Sequence, residues 1–397
     1  MGLALLQCDG PVFLKAAALI LGSVVASVVW VPRPEIISLA LMALVGYLLY
    51  LYKWRGRAVL WTLPLIFMLW SNLHGGYVLG FLLAGAMLAG EVLNHLLGLQ
   101  GEQVLTWKRL LRLGLWIAGC GLAVLLNPNG LDTWRIPFQT VQVAALQQYI
   151  PEWASPDFHS AIELPLLVLL LATFASVALA NRMMDGTDLI TLGGFAALAL
   201  VAKRNAGPFA LAAVPIFTRY AAVGIQAWQS RSPWLARLSQ PKPNAPETRG
   251  VRRLKKAINL SIVALLALVA FGKLYVVTQP ALVSHYLVDG YPVRAVSWLA
   301  HNRAGARVLN EYAWGGYLQW ALPGFPVFVD GRTDLFGDAV IGDWITAVQA
   351  GTGWQAVLQR DRVDLVMLAP DRPLLQWLPA AGWREIYQDS QVVIYAR

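Results

Sequence analysis

The sequence predicts a polytopic α-helical membrane domain of about nine spans, residues 1–279, followed by a small α/β domain, residues 280–397. Three observations carry this. Hydrophobic residues make up 57% of the 397 and charged residues only 13%, where soluble domains carry about 25%. Apolar runs approaching the ~20 residues that cross a hydrocarbon core recur up to residue 278 and then stop. Lys and Arg fall unequally on the two sides of those runs.

Taken in order, the runs lie near 11–31, 36–52, 58–70, 77–98, 109–126, 162–180, 188–202, 206–223 and 257–278, and those at 58–70 and 188–202 are short enough to be tilted or re-entrant. The first is too long for a signal peptide, and VVWVPRPE lacks a small-residue cleavage pattern. With the N-terminus inside, inner connections carry 16 Lys/Arg up to residue 256. These are Lys53, Arg55, Arg57, Lys108, Arg109, Arg112, Arg182 and the run from Arg219 to Lys256. Outer connections carry 4: Arg33, Arg135, Lys203 and Arg204. Removing the 58–70 crossing would invert everything after it and erase that asymmetry, so the charges support an odd count.

The net charge of +9 has the same origin. Residues 1–279 hold 22 basic and 11 acidic groups, whereas 280–397 hold 9 and 11. The excess concentrates in RSPWLARLSQPKPNAPETRGVRRLKK, inside a segment, 224–256, that reads as a cytoplasmic linker whose basic end meets anionic headgroups. No nucleic-acid partner is needed to explain it; the expected partner is the lipid bilayer. Cys8 and Cys120 show no CxxC or Cys/His spacing, which leaves no metal motif and no expected disulfide. Within the spans the only charges singled out are Glu91 and Lys273, and no ion relay is visible, so a transporter is the weakest class.

After Thr278 the texture changes. RVLN (307–310), PVFVD (326–330), VDLVML (363–368), WREIY (383–387) and QVVIYA (391–396) read as strands, with helical spacing in DAVIGDWITAVQA and WQAVLQR between them. Alternation of strand and helix argues for a largely parallel sheet, closed by an antiparallel hairpin around QDS. The span count places this domain outside the membrane.

Polar residues interrupt the apolar pattern at four outer places. WSNLHGGYVLG, 70–80, sets Asn72 and His74 beside Gly75 and Gly76 between two apolar runs. An imidazole titrates near neutrality and can act as acid, base or phosphate partner; a buried histidine satisfied by a carbonyl is the competing reading. The loop 127–161 supplies Glu152 and Asp157, with Asp132, His159, Trp134, Trp153 and Phe158. Carboxylates beside aromatic planes suit a sugar or a divalent cation, or equally an interfacial belt with its own polar network. KRNAG, 203–207, breaches the charge asymmetry; Arg204 is either a snorkelling anchor or a planar fork for phosphate or carboxylate. In the tail, NEYAWGGYLQWALPGFPVFVDGRTDLFGD places Asp330, Arg332 and Asp334 after a strand, where α/β folds hold ligands, beside Trp314 and Tyr317. An internal Asp–Arg–Asp network explains that triplet equally well.

Together, W-x-N-x-H-G-G between two spans, N-P-N-G and E-W-x-S-P-D-F in a long loop, K-R-N before a span and W-G-G-Y…V-F-V-D-G-R-x-D in the tail resemble a family of bacterial multi-spanning proteins. That family is similar in layout to glycosyltransferases of the GT-C fold, and the resemblance covers most of the chain from about residue 31. It implies transfer of a sugar from a polyprenyl-phosphate donor on the outer face of the cell membrane. Catalytic roles then fall to Glu152, Asp157 and His74, with Glu35 as a further candidate base or metal ligand. Substrate contacts fall to Asn72, Arg204, Trp314, Tyr317, Asp330, Arg332 and Asp334, and a divalent cation is a candidate cofactor. AWGGY, 313–317, is faintly similar to the W-W-D-Y-G motif of the oligosaccharyltransferase catalytic subunit, without its acid. GT-C enzymes usually carry acids in the first outer loop; here that loop, VPRPE, has only Glu35, so the chain reads as shortened at its N-terminus relative to that family. The second function class is a non-catalytic binding or assembly protein whose outer domain recruits envelope partners. The common expectation is that the polar patches converge beneath the terminal domain.

Overall fold

A computed structural model describes residues 11–30, 33–99, 104–142, 150–231, 249–302 and 305–397. The chain is 71% helical and divides into two compact units, Met1–Gln240 and Pro241–Arg397. The boundary falls earlier than the expected residue 279, so the last apolar helix groups with the C-terminal unit. The expected linker is helical at both ends, inside Ala206–Arg231 and Arg249–Val277, and its middle, 232–248, lies outside the described residues.

In the first unit the helices are α1 Val12–Ser27, α2 Glu35–Arg55, α3 Leu63–Leu73, α4 Val78–Leu96, α5 Trp107–Val124, α6 Ile136–Gln142, α7 Leu164–Leu179, α8 Gly186–Val201 and α9 Ala206–Arg231. Prolines stand where a missing N–H costs nothing, at the first turns of α3 and α7. Asp185 caps α8, its carboxylate accepting from Thr187 N at 2.9 Å. α4 lies against α8, α9 against α7 and α1, and α3 against α5. Their shared core holds Trp70, Phe67, Tyr77, Phe209 and Tyr220, each at most 1% exposed. The α4–α8 contact is backbone on backbone, since a Cβ on Gly90 would lie 2.6 Å from the Gly186 carbonyl carbon.

Every predicted span coincides with a helix, yet among the described residues three helices are long and apolar enough to cross a membrane: Glu35–Arg55, Gly75–Leu96 and Lys203–Trp228. A fourth crossing results if the bent pair Ala267–Val277 and Pro280–Gly290, 61° apart, counts as one. Val12–Ser27, Leu60–Leu73, Leu164–Leu179 and Gly186–Val201 are apolar but shorter, and α5 opens with Lys108, Arg109 and Arg112. The apolar runs of the sequence are therefore longer than several of the helices formed from them.

The second unit begins with α10 Arg249–Val277, α11 Pro280–Gly290 and α12 Val293–Asn302. There follow β1 Val308–Asn310, α13 Gly315–Ala321, α14 Thr333–Val348, α15 Trp354–Arg360, β2 Leu365–Leu368, β3 Arg384–Gln388 and β4 Val393–Ala396. The sheet order is β1-β2-β4-β3. β2 alternates its side chains between two cores: Leu365 and Met367 join Ala295, Leu299 and Leu318, while Val366 and Leu368 join Val348, Val357 and Leu358. Helices thus cover both faces, which is why LVML reads as an unbroken apolar run.

Two expectations are corrected here. Only β1–β2 is parallel, whereas β2–β4 and β3–β4 are antiparallel, so the sheet is mixed rather than largely parallel. The hairpin brings β4 back beside β2 with β3 outside it, and its two antiparallel pairings outnumber the single parallel one. PVFVD is not a strand of the ladder; only Val327 bridges to Val308. Around that bridge Val308 N donates to Pro326 O at 3.3 Å and Phe328 N to Val308 O at 3.1 Å. A side chain continues the attachment, with Phe328 N also donating to Asn310 Oδ1 at 2.9 Å and Asn310 Nδ2 to Val329 O at 2.8 Å. Asn310 is fully buried. Its replacement by alanine removes its bonds to Val329 O and Glu311 O and one of the two acceptors of Phe328 N. That is expected to cost about 2–3 kcal/mol, read as a lower urea midpoint for the full chain; an unchanged midpoint refutes that role.

Candidate functional site

His74 stands between α3 and a 3-10 turn, Gly75–Tyr77, in extended backbone. Its Nδ1 receives the Gly76 N–H at 3.1 Å and meets Ser38 Oγ at 2.7 Å. Ser38 Oγ itself accepts from Trp70 Nε1 at 2.7 Å, so its hydroxyl proton is free to point at His74. With Nδ1 as acceptor, the neutral ring carries its proton on Nε2. Burial lowers the His74 pKa; Glu35 opposes this and Arg204 reinforces it. Gly76 is glycine because a Cβ would overlap Ser38 and lie 2.9 Å from His74 Nδ1. The neighbouring Asn72 departs from expectation. Its side chain is exposed and donates to Met68 O of its own helix at 2.8 Å.

Around His74 the first unit joins separate segments through ion pairs. Arg204 Nη2 bonds Glu35 Oε1 at 2.8 Å, and its guanidinium lies 4.3 Å from the centre of the Trp153 ring. Arg33 bonds Glu152 at 2.9 Å, and Lys203 Nζ bonds Glu163 Oε1 at 3.1 Å. Backbone contacts reinforce the arrangement, with Lys203 N donating to Ala154 O at 3.0 Å and Ser155 Oγ to Val201 O at 3.2 Å. Asn127 Nδ2 reaches Ser71 O at 2.8 Å, tying N-P-N-G to the histidine turn. The histidine turn, the long loop and K-R-N therefore do meet. Of the long loop, residues 143–149 lie outside the described residues.

Asp157 plays a smaller part than expected. It is exposed, and its carboxylate closes a turn by accepting from His159 N and Nδ1, both at 3.0 Å; those bonds hold its pKa below the usual value. Sequence reasoning passed over Ser38 and Glu163. The available signal for Glu163 was an acid at the start of a span on the face that also carries Lys203. Among the described residues, no three of His, Cys, Asp or Glu gather as a metal would require, and Glu35, Glu152 and Glu163 each face a cation of the chain itself.

The tail motif forms a second site, in the C-terminal unit. Asp330 is 2% exposed and gripped by Arg332, whose backbone N, Nε and Nη2 all donate to it at 2.5–3.1 Å. Arg332 Nη2 also reaches Gln319 Oε1 at 3.1 Å. Burial pushes the Asp330 carboxyl up, and the Arg332 bonds outweigh that and hold it below its usual value. Asp334 begins α14, and its side chain lies outside the described residues. Gly315 presses on the chain before Arg332, where a Cβ would lie 2.8 Å from Asp330 Cα, so this glycine admits backbone rather than a ligand. Tyr317 stacks on Tyr291 at 4.9 Å and Trp314 is half-buried. The internal-network reading of Asp-x-Arg fits this geometry.

A third cluster was missed altogether. At the opposite end of α2, Lys53 bonds Glu91, Asp185 and Thr187, and both Lys53 and Glu91 have fully buried side chains. Glu91 also accepts from Leu105 N at 2.7 Å and Thr187 Oγ1 at 3.0 Å, and Asn94 Oδ1 accepts from Gly186 N at 2.6 Å. Beside it Arg219 pairs with Asp188 at 2.8 Å and lies 4.2 Å from the centre of the Trp54 ring. The signal was DGTD, 185–188, two acids heading an apolar helix.

The fold and its sites define a class: a helical protein with membrane-length helices, polar clusters at both ends of its bundle and a small α/β unit after it. No family model and no curated protein matches the chain.

Proposed function

We propose that this is a multi-pass cell-membrane protein that engages a polyprenyl-phosphate-linked sugar at its His74–Arg204 end and transfers the sugar to an acceptor on the outer face, in the manner of GT-C enzymes. The single observation that carries this reading is the gathering of Arg33, Lys203, Arg204, neutral His74 and the Trp153 ring from distant segments at one end of the bundle. A planar guanidinium beside an aromatic ring suits a phosphate next to a sugar face. Nine crossings with the N-terminus inside remain the topology that best fits the Lys/Arg asymmetry; they put this cluster and the C-terminal unit outside. In this scheme Arg204 exchanges Glu35 for the phosphate. Glu35, once released, or Glu152 takes the proton of the acceptor as its oxygen attacks the anomeric carbon. The bond from that carbon to the phosphate breaks and the lipid phosphate leaves. Neutral His74 donates an Nε2–H hydrogen bond to a phosphate oxygen without losing its proton.

A second reading is favoured by a specific observation: each of the three cations is already paired with a carboxylate, as in a cluster that only holds the bundle together. The protein is then an assembly subunit whose outer unit recruits envelope proteins. Titration of undecaprenyl phosphate into the full chain in detergent, followed by tryptophan fluorescence, separates the two. Arg204→Ala is expected to weaken binding about 10–100-fold, the value of a charge-assisted contact, while Asp330→Ala tests the tail. Equal binding by wild type and Arg204→Ala sinks the transferase reading and leaves the assembly role.

A further inference from the structure

α2, α4, α8 and α9 line a cavity that runs from Met42, one turn beyond Ser38, to Trp54 and Arg219 at the end of the bundle away from His74. The cavity volume is about 90 Å³, within about 700 Å³ of unfilled space that includes an open side. Met42, Gly46, Leu83, Met87, Leu211 and Ile216 make the wall apolar over most of its length. At one end the wall changes character, with Thr187, Asp188, Arg219 and Trp54. Thr187 and Asp188 are 4% and 3% exposed, so these polar groups are built into the wall rather than spread on a surface. Pro215, also in the wall, cannot donate an N–H to the carbonyl of Leu211 one turn earlier.

We propose that this cavity is a binding site for a bilayer phospholipid with a zwitterionic head. The enclosed volume admits a stretch of hydrocarbon and not a whole soluble ligand, given that an engineered cavity of about 150 Å³ holds one benzene. Three of its four walls, α2, α4 and α9, belong to the helices long and apolar enough to cross a membrane, so the medium at the open side is lipid. The polar end presents an ion pair, Arg219 with Asp188. A phosphate beside the guanidinium and an ammonium beside the carboxylate complement that pair, whereas a purely anionic head faces Asp188 uncompensated. Its polar end, at Trp54, lies about 29 Å along α2 from Glu35 and its apolar wall begins about 10 Å from Glu35, at ~1.5 Å per residue, and the site is independent of the sugar-transfer reading.

The test is native mass spectrometry of the full chain released from mixed phosphatidylethanolamine and phosphatidylglycerol vesicles, with soluble phosphoethanolamine as competitor. One phosphatidylethanolamine retained per wild-type chain is expected, in about tenfold preference over phosphatidylglycerol and undisturbed by the soluble head. Gly46→Leu fills the cavity; a Cβ there meets only Leu83 Cδ1, at an ordinary 3.8 Å, so the backbone admits a side chain at this position, and a variant with wild-type circular dichroism is expected to lose retention at least tenfold. Ala43→Phe, on the same wall, serves as the second variant. Undiminished retention in a folded blocking variant overturns the site, equal retention of the two lipids overturns the zwitterionic head, and displacement by phosphoethanolamine overturns the role of the chain.

Discussion

Lys53→Met is expected to destabilise the first unit by about 3–5 kcal/mol, the cost of leaving buried charge without its partner. Among the described residues Lys53 is the cation paired with Glu91, whose side chain is fully buried, and it also faces Asp185. Three segments lose their tie at once, because Lys53 is on α2, Glu91 on α4 and Asp185 at the head of α8. Unfolding by dodecyl sulfate in mixed micelles, followed by circular dichroism, reads the loss. The double variant Lys53→Met with Glu91→Gln removes the orphaned charge along with the cation and should recover part of it, giving a non-additive cycle. A single variant within about 0.5 kcal/mol of wild type would show that the cluster is solvated, and the account of a dry ionic tie would fall.

Gly90→Ala is expected to cost about 3 kcal/mol, the upper part of the range for overpacking, because the obstacle is backbone. A Cβ there would overlap Thr187 and stand 2.6 Å from the Gly186 carbonyl carbon, and no rotamer change relieves a clash with main chain. The two helices must separate, which also stretches the Asn94–Gly186 and Lys53–Thr187 bonds. Gly85→Ala on the same helix is the control, since nothing lies within 4 Å of its added Cβ; it should be neutral or gain up to about 1 kcal/mol from helix propensity. Matching midpoints for the two variants would contradict the close α4–α8 approach.

Both expectations concern residues that pattern alone ranks low. Lys53 reads as one of three basic residues in a connection, and Gly90 as a small residue in an apolar run. Their importance comes from partners 38 and 132 residues away for Lys53 and from the α8 backbone for Gly90, and no local period encodes a partner. The outer cluster was more legible. His74, Glu152 and Arg204 stood out because polar groups between apolar runs are costly unless used, and the structure joins their segments, though by Glu35, Ser38 and Trp153 rather than by Asn72. In the tail, Asp330 and Arg332 were visible as a motif, and burial together with Arg332 made them an internal pair.

The sequence by itself determined the helical character of the first part, the position of every apolar segment and the α/β texture of the tail, because hydrophobic period and composition act residue by residue. Tertiary structure alone decided which charges meet, how long each helix runs, and that the final hairpin turns the sheet mixed. Those outcomes follow from contacts between residues far apart in the chain, where a single desolvated ion pair or one backbone approach outweighs the local preference of either segment.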